Sequence, residues 1–215
     1  MSDRLPDDEL ALPPGASPDI DAKLVAALER VGQALRVQLW DKAKQHGLSP
    51  TQLQVLLRLA GDPPARRRIG VLADELDVTH PTLSDAVAVL RRKGLVDRDP
   101  RSRKAPLSLS ARGRAMADRL IDWDERTRQQ LADLPIADKQ ATLRLLLDLI
   151  AGLQRTGAIT VARMCVTCRF FRRNAHPDSA RPHHCALVDA PLGAGELRVD
   201  CAEHEPRRDL PAIAR

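Results

Sequence analysis

The chain has 215 residues, 43% of them hydrophobic and only 2% aromatic, so it can form a core, and that core must be aliphatic. The formal net charge is +5, and its surplus is central: residues 58–114 hold 13 lysines and arginines against 7 acidic residues, whereas residues 1–57 hold 6 against 8. This surplus favours a polyanionic partner, while the lack of a long apolar run or a signal-like leader argues against a membrane-spanning or secreted class, so we expect a cytoplasmic protein.

The chain begins with two segments of different character. Residues 1–18 contain four prolines and an acidic run, a composition that buries too little apolar surface to fold and so predicts a disordered tail. From Asp19 to His46, leucines, valines and alanines recur at steps of three and four. This spacing predicts a long helix that Gly47 ends.

A second helix is predicted to begin at Ser49-Pro50, because serine caps helix N-termini and proline fits the first helical position. Residues 61–64, Gly-Asp-Pro-Pro, end this helix. The three arginines at positions 66–68 follow in a predicted loop. We interpret them as a solvated basic loop, with phosphate contact as the less favoured alternative.

The next segment has the pattern of a helix-turn-helix. A short helix over about residues 69–76 and a tight turn at Asp77-Val78 precede a helix over Pro81–Lys93. Thr79 is predicted to cap this helix, and Gly94 to end it. Its apolar stripe consists of Leu83, Val87 and Leu90.

A basic hairpin is predicted directly after this helix. Leu95–Arg98 and Ala105–Leu109 have the alternation of two short strands. The loop between them carries three cations. Helix, turn, helix and basic hairpin in this order predict a unit whose second helix enters the DNA major groove and whose hairpin tip reaches phosphates or the minor groove.

The candidate DNA-contacting residues are the polar residues near the start of the second helix and the cations of its end and of the hairpin. They are Thr79, His80, Thr82, Ser84, Asp85, Arg91, Arg98, Arg101, Arg103 and Lys104. Asp85 has two alternative roles, since its carboxylate would accept a hydrogen bond from cytosine or repel a phosphate.

The remaining helical segments predict a dimer. From Ser110 the helical spacing continues to Leu131, and a last helix spans roughly Ala137–Arg155. This last helix is apolar on more than one side, so it must be covered on more than one side. In a domain this small, a second subunit is the expected cover.

Three runs of residues resemble the MarR family of regulators: Val78–Ser84, Leu90–Arg98 and Leu107–Gly113. The resemblance covers roughly Asp19–Arg155. It implies a mainly α, dimeric winged helix-turn-helix with long terminal helices and a small β wing, which binds a pseudo-palindromic operator on double-stranded DNA. It also implies release by a small-molecule effector or by redox chemistry. Ser102 stands where the family usually has an aspartate, so a salt bridge to the wing arginine is missing.

The composition changes after Gly157, and residues 158–215 are predicted to form a small cysteine-rich metal module and tail. All four cysteines lie there, spaced Cys165-x2-Cys168-x16-Cys185-x15-Cys201. Thiols stay reduced in the cytoplasm, so four cysteines favour metal binding over disulfides.

Two metals suit this set of sulfur ligands, zinc and an iron–sulfur cluster. Zinc ribbons usually offer two short-spaced pairs, and here only Cys201-x2-His204 would supply the second, with His204 as an alternative ligand. The spacing also resembles the high-potential iron–sulfur proteins, in which aromatic packing shields a [4Fe–4S] cluster. Because Phe170 and Phe171 are the only phenylalanines of the chain, we favour the cluster.

These observations predict a DNA-binding transcriptional regulator whose affinity for DNA depends on a redox- or metal-sensing cluster. We favour a repressor over an activator. Loss of the cluster is expected to shift the last helix through residues 157–164. The alternatives are a regulator with a structural zinc ion and a small-molecule effector, and an iron–sulfur electron-transfer protein on a helical dimer scaffold. An enzyme is not expected, because the sequence contains neither a nucleophile–base pairing nor a glycine loop that cradles phosphate.

Overall fold

A computed structural model describes residues 19–98 and 105–207. The helices within these ranges are α1 (Ile20–Gln45), α2 (Pro50–Gly61), α3 (Ile69–Glu75), α4 (His80–Arg92), α5 (Ala111–Leu120), α6 (Glu125–Ala132) and α7 (Ile136–Arg155). The strands are β1 (Val96–Asp97), β2 (Ser108–Leu109), β3 (Phe171–Arg172), β4 (His183–Cys185) and β5 (Ala190–Leu192). The predicted disordered tail and the hairpin tip, with Arg101, Ser102, Arg103 and Lys104, lie outside the described residues.

The signals that delimit the first two helices act as predicted. Asp19 caps α1, its Oδ1 accepting hydrogen bonds from the backbone N–H groups of residues 21 and 22, and Gly47 follows the helix with a φ of 64°. At the start of α2, Ser49 Oγ accepts from the N–H of Gln52, and Gln52 Oε1 accepts from the N–H of Ser49, both at 3.2 Å. This reciprocal pair satisfies two N–H groups that the helix leaves free.

The main core lies between α2, α3, α4, α5 and the β1–β2 hairpin. Its fully buried leucines are Leu53, Leu56, Leu59, Leu72, Leu83, Leu90, Leu107 and Leu120. Gly113 of α5 lies directly against the backbone of Leu95, because a Cβ there would be 1.9 Å from the Leu95 carbonyl oxygen. The close approach of α5 to the base of the hairpin therefore requires glycine at this position.

The segment predicted as one helix from Ser110 to Leu131 is two helices. Residues 121–124 form a turn between α5 and α6. Within that turn the Asp122 carboxylate lies 2.6 Å from Lys42 Nζ of α1, and Trp123 packs against the main core. The helix is interrupted because these long-range contacts outweigh the local preference for a continuous helix.

A second core joins the cysteine-rich segment to α7. Leu147 and Ala151 of α7 are buried against Met164, Phe171 and other apolar residues of that segment. The strands β3, β4 and β5 form a three-stranded antiparallel sheet in that order. The compositional module is therefore packed on the helical domain and shares a core with it.

The terminal helices keep much of their apolar surface exposed. Val25 and Val31 of α1 are 66% and 52% exposed, and Leu145 and Leu149 of α7 are 54% and 42% exposed. The module covers only the α7 face that carries Leu147 and Ala151. In the described ranges, none of the helices combines the length and apolarity needed to cross a bilayer.

Candidate DNA-binding surface and four-cysteine site

The α3-turn-α4 unit has the predicted form. Asp77 takes a φ of 50° in the turn, and Thr79 Oγ1 accepts a hydrogen bond from the N–H of Thr82 at 3.3 Å, which caps α4. The predicted stripe of Leu83, Val87 and Leu90 is at most 2% exposed. Because these three side chains are fixed in the core, the opposite face of α4 is held toward solvent.

The centre of that outward face is formed by Pro81, Asp85, Ala88 and Arg92, which are all exposed and recur at helical spacing. The predicted contact residues Thr79, His80, Thr82 and Arg91 are exposed at its sides, and Ser84 is half-buried. Arg92 was missed by the sequence prediction. Its spacing from the apolar stripe was the signal that could have identified it.

The hairpin begins as predicted beside α4. β1 and β2 pair antiparallel, with Val96 opposite Leu109 and Asp97 opposite Ser108. Arg98, the last described residue on the β1 side, is half-buried, and its Nε has no hydrogen-bond partner among the described residues. This guanidinium therefore lies at the base of the hairpin, next to the outward-facing surface of the unit.

The four cysteines line one cavity of about 80 Å³. All four are free thiols. The apolar part of the wall consists of Phe170, Phe171, Leu187, Val188 and Leu192. The fold thus brings together sulfur atoms from residues 36 positions apart, in a wall that combines these apolar side chains with Glu196, Arg198 and Glu203.

Three structural elements hold the thiols in place. Cys165 and Cys168 flank a short 3₁₀ turn, in which the N–H of Cys168 donates to the Cys165 carbonyl at 3.0 Å. Cys185 ends β4, opposite Phe171 of β3. The N–H of Cys201 donates to the Arg163 carbonyl at 2.9 Å, and the N–H of Cys165 donates to the Arg198 carbonyl at 3.1 Å.

The surroundings of the sulfur atoms include hydrogen-bond donors. The backbone N–H of Arg198 lies 3.2 Å from Cys165 Sγ, and its guanidinium lies 3.7 Å from Cys201 Sγ. Burial raises the pKa of the Cys165 thiol, the N–H of Arg198 partly offsets this rise, and the other three cysteines raise it further. At neutral pH such a thiol is protonated, and a cation in the cavity would favour its thiolate form.

The histidines near the cysteines have other contacts. His204 Nε2 lies 3.0 Å from Thr167 Oγ1, and His204 is not among the residues that line the cavity. His183 is buried, and its Nδ1 accepts from the N–H of Asn174 at 3.2 Å. Burial lowers the pKa of both His183 and His204.

The prediction of a solvated loop at positions 66–68 is wrong for Arg66. This residue ends a 3₁₀ turn and is only 9% exposed. Its guanidinium lies 3.1 Å from Glu75 Oε1, 3.0 Å from Asp200 Oδ2 and 3.4 Å from Asp62 Oδ1. Burial is favourable here because three carboxylates surround the charge, whereas a sequence pattern of three arginines gives no sign of them.

Comparison with known proteins finds similar proteins for the helical part of the chain. Residues 46–105 match the model of the MarR family, and no curated protein matches the chain. S. aureus MepR bound to DNA is similar at 19% identity and a TM-score of 0.53, over 60% of this chain and 97% of MepR. The transcriptional regulator PA3341 is similar at 23% identity and a TM-score of 0.53, over 61% of this chain and 98% of PA3341.

A third solved structure is more similar in sequence. The Mycobacterium tuberculosis MarR family protein Rv2887, in complex with p-aminosalicylic acid, is 30% identical over 59% of this chain and 97% of its own, with a TM-score of 0.46. The MepR and PA3341 matches cover nearly the whole of the other protein but about three fifths of this chain. This chain therefore carries a large additional part that these structures do not have.

Proposed function

We propose that this chain is a transcription regulator of the MarR type that binds duplex DNA through α4 and the β1–β2 hairpin, and the family match over residues 46–105 supports this. The observation that carries the proposal is the arrangement of α4, with its leucine stripe buried and its polar face toward solvent. The similar S. aureus MepR is described in a complex with DNA. In the simplest form the bound protein is a repressor, because occupancy of an operator blocks the promoter.

Arg92 provides a test of this DNA-binding surface. We expect Arg92→Ala to weaken binding to all sequences about equally and to reduce the slope of log affinity against log salt concentration by about 1, because one phosphate contact and its released counterions are lost. The measurement is a fluorescence-anisotropy titration of the upstream region of its own operon at several salt concentrations. Arg119→Ala, at an exposed position near the end of α5, is the matched control. An unchanged salt slope in Arg92→Ala would contradict this placement.

We further propose that the protein is a homodimer assembled through α1 and α7. The exposed valines and leucines of these two helices support this, because exposed apolar patches of this extent mark interaction surfaces. A symmetric pair would present two α4 helices to successive major grooves, as a pseudo-palindromic operator requires.

Leu149→Glu should convert the dimer to a monomer at micromolar concentration, since the change places two carboxylates in one symmetric interface. Sedimentation velocity measures the mass. Ile121→Glu makes the same chemical change at a residue that is 67% exposed, in the turn between α5 and α6 and outside both helices, so it should leave the dimer intact. Equal masses for the wild type and Leu149→Glu would refute an interface at this position.

For the four-cysteine site we propose a [4Fe–4S] cluster held by Cys165, Cys168, Cys185 and Cys201. Four sulfur ligands, an apolar aromatic wall and an N–H group directed at sulfur are the environment that such clusters use. Zinc also takes four sulfur ligands, and the two phenylalanines of the wall favour the cluster. When bound, the cluster supplies reversible one-electron chemistry.

Purification without oxygen tests this assignment. A brown protein that contains iron and sulfide supports the cluster, whereas a colourless protein with one zinc per chain supports the structural zinc alternative. The proposed sensing role then requires that operator affinity differ between the loaded and the metal-free protein.

A small-molecule effector is the second candidate for control of DNA binding. A cavity of about 490 Å³ lies between α1, α2, Trp123 and the segment around Asp200, with Arg58 and Arg66 in its wall. The similar Rv2887 is described with p-aminosalicylic acid. In this cavity Arg58 and Arg66 already pair with Asp62 and Asp200 of the same wall, so the wall beside Trp123 suits an aromatic ring more than a further negative charge. An effector of this class would change operator affinity in the metal-free protein as well, which distinguishes it from the cluster.

A further inference from the structure

The cysteine-rich segment is connected to the DNA-binding unit by ion pairs to two buried side chains, those of Arg66 and Glu75. Arg66 contacts Glu75 at 3.1 Å and Asp200 at 3.0 Å, and the guanidinium of Arg163 also pairs with the Glu75 carboxylate. The Glu75 side chain is 2% exposed and that of Arg66 is 10% exposed. We call Arg66, Glu75, Arg163 and Asp200 the interdomain network, because two of its charges come from the helical domain and two from the cysteine-rich segment.

Both charged residues of the cysteine-rich segment lie within two positions of a proposed cluster ligand. Asp200 immediately precedes Cys201, and Arg163 is two residues before Cys165. The backbones of the two stretches are hydrogen-bonded to each other, from the N–H of Cys201 to the Arg163 carbonyl at 2.9 Å. A displacement of Cys201 therefore moves Asp200 and Arg163 together.

In the helical domain, the interdomain network includes a residue of α3, the helix that positions α4. Glu75 is the last residue of α3, and the turn to α4 begins two residues later at Asp77. Thr160, also from the segment after α7, donates a hydrogen bond to Asp77 Oδ1 at 2.8 Å. The cysteine-rich segment thus holds both the end of α3 and the turn that sets the direction of α4.

We propose that the interdomain network transmits the state of the four-cysteine site to the helix-turn-helix, with Arg66 and Asp200 as positioning residues. The inference rests on the proposed metal site and names its route of regulation. With the four thiols drawn onto a bound group, Asp200 and Arg163 are held against Arg66 and Glu75, and α3 is fixed. With the site empty, the stretch before Cys201 is released, Glu75 of α3 loses Arg163 and Arg66 loses Asp200, and the end of α3 moves to regain solvation for the Glu75 carboxylate. This route differs from the shift of the last helix expected from the sequence.

The test compares operator affinity in two states of the full-length dimer, reconstituted anaerobically with ferrous iron and sulfide, and metal-free. For the wild type we expect the dissociation constants of the loaded and metal-free states to differ by about 5- to 150-fold, which is the usual range for allosteric coupling between two sites. In Asp200→Asn that ratio should fall to within about twofold of unity, while iron and sulfide per chain stay at the wild-type amount. Asp200→Glu, which keeps the charge, should restore the ratio, an effect that loss of stability alone would not produce.

Asp148→Asn is the matched control. It breaks another ion pair between the two parts, Arg173–Asp148 at 2.6 Å, in which both side chains are about half exposed and neither contacts α3. The control should keep the wild-type ratio. A full ratio in Asp200→Asn with normal iron content would overturn the network as the route. A wild type that takes up iron without any change in operator affinity would overturn the coupling itself, and a wild type that takes up neither iron nor zinc would overturn the proposed metal site.

Discussion

Replacement of Arg66 by methionine is expected to lower the free energy of unfolding by about 3–5 kcal/mol, because the change removes the ion-pair partner of the buried Asp62 carboxylate and leaves the buried Glu75 with Arg163 alone. Glu75 and Asp62 would remain with side chains 2% and 9% exposed. Burial lowers the pKa of Arg66, but its hydrogen bonds to Asp200 and Glu75 outweigh this and raise the pKa above its ordinary value. The guanidinium is therefore charged at every pH at which the protein folds. Urea denaturation of the metal-free protein measures the effect.

Two further variants separate loss of the ion pairs from loss of packing. Arg66→Met/Asp62→Asn removes both charges of the Arg66–Asp62 pair, so the double variant should be more stable than Arg66→Met alone. Arg128→Met breaks an exposed pair with Asp124, at 2.8 Å and with the arginine side chain 65% exposed, and should change the urea midpoint little. If Arg66→Met and Arg128→Met had equally small effects, the buried charges would not stabilise the fold as argued.

The local part of this fold was predictable because its signals are local. Asp19, Ser49 and Thr79 each cap a helix through hydrogen bonds to residues two or three positions away. A tight turn between two short helices, with a leucine stripe on the second, follows from spacing alone. The MarR family match over residues 46–105 covers the same stretch of the chain.

The features that sequence reasoning missed depend on distant residues. Arg66 is buried because Asp200, 134 positions away, and Glu75 neutralise it. The break between α5 and α6 depends on Lys42 of α1. Neither contact produces a periodic pattern in the sequence. The run of arginines was therefore predicted to be a solvated loop, and the continuous apolar pattern was predicted to be one helix.

The cysteine-rich segment lies between these cases. Its four cysteines were found from their residue type and spacing, while the fold around them, three strands of two or three residues and two 3₁₀ turns, has no pattern long enough to predict. Its packing on Leu147 and Ala151 of α7 was also hidden, since a leucine-rich helix gives no indication of which partner covers which face. A pattern of chemically special residues thus identified the site, and the structure supplies its surroundings.

The largest effect is expected from the cysteines themselves. A [4Fe–4S] cluster contains about four iron atoms per chain. We expect Cys168→Ser to lose this iron and the visible absorption of the cluster, because the change removes a thiolate ligand. Cys168 is 8% exposed, and serine has nearly the same shape, so the fold should persist and far-ultraviolet circular dichroism should stay unchanged. His204→Ala is the control, because the His204 ring contacts Thr167 and not the cavity. Iron retained in full by Cys168→Ser, or lost in His204→Ala, would contradict a four-cysteine ligand set.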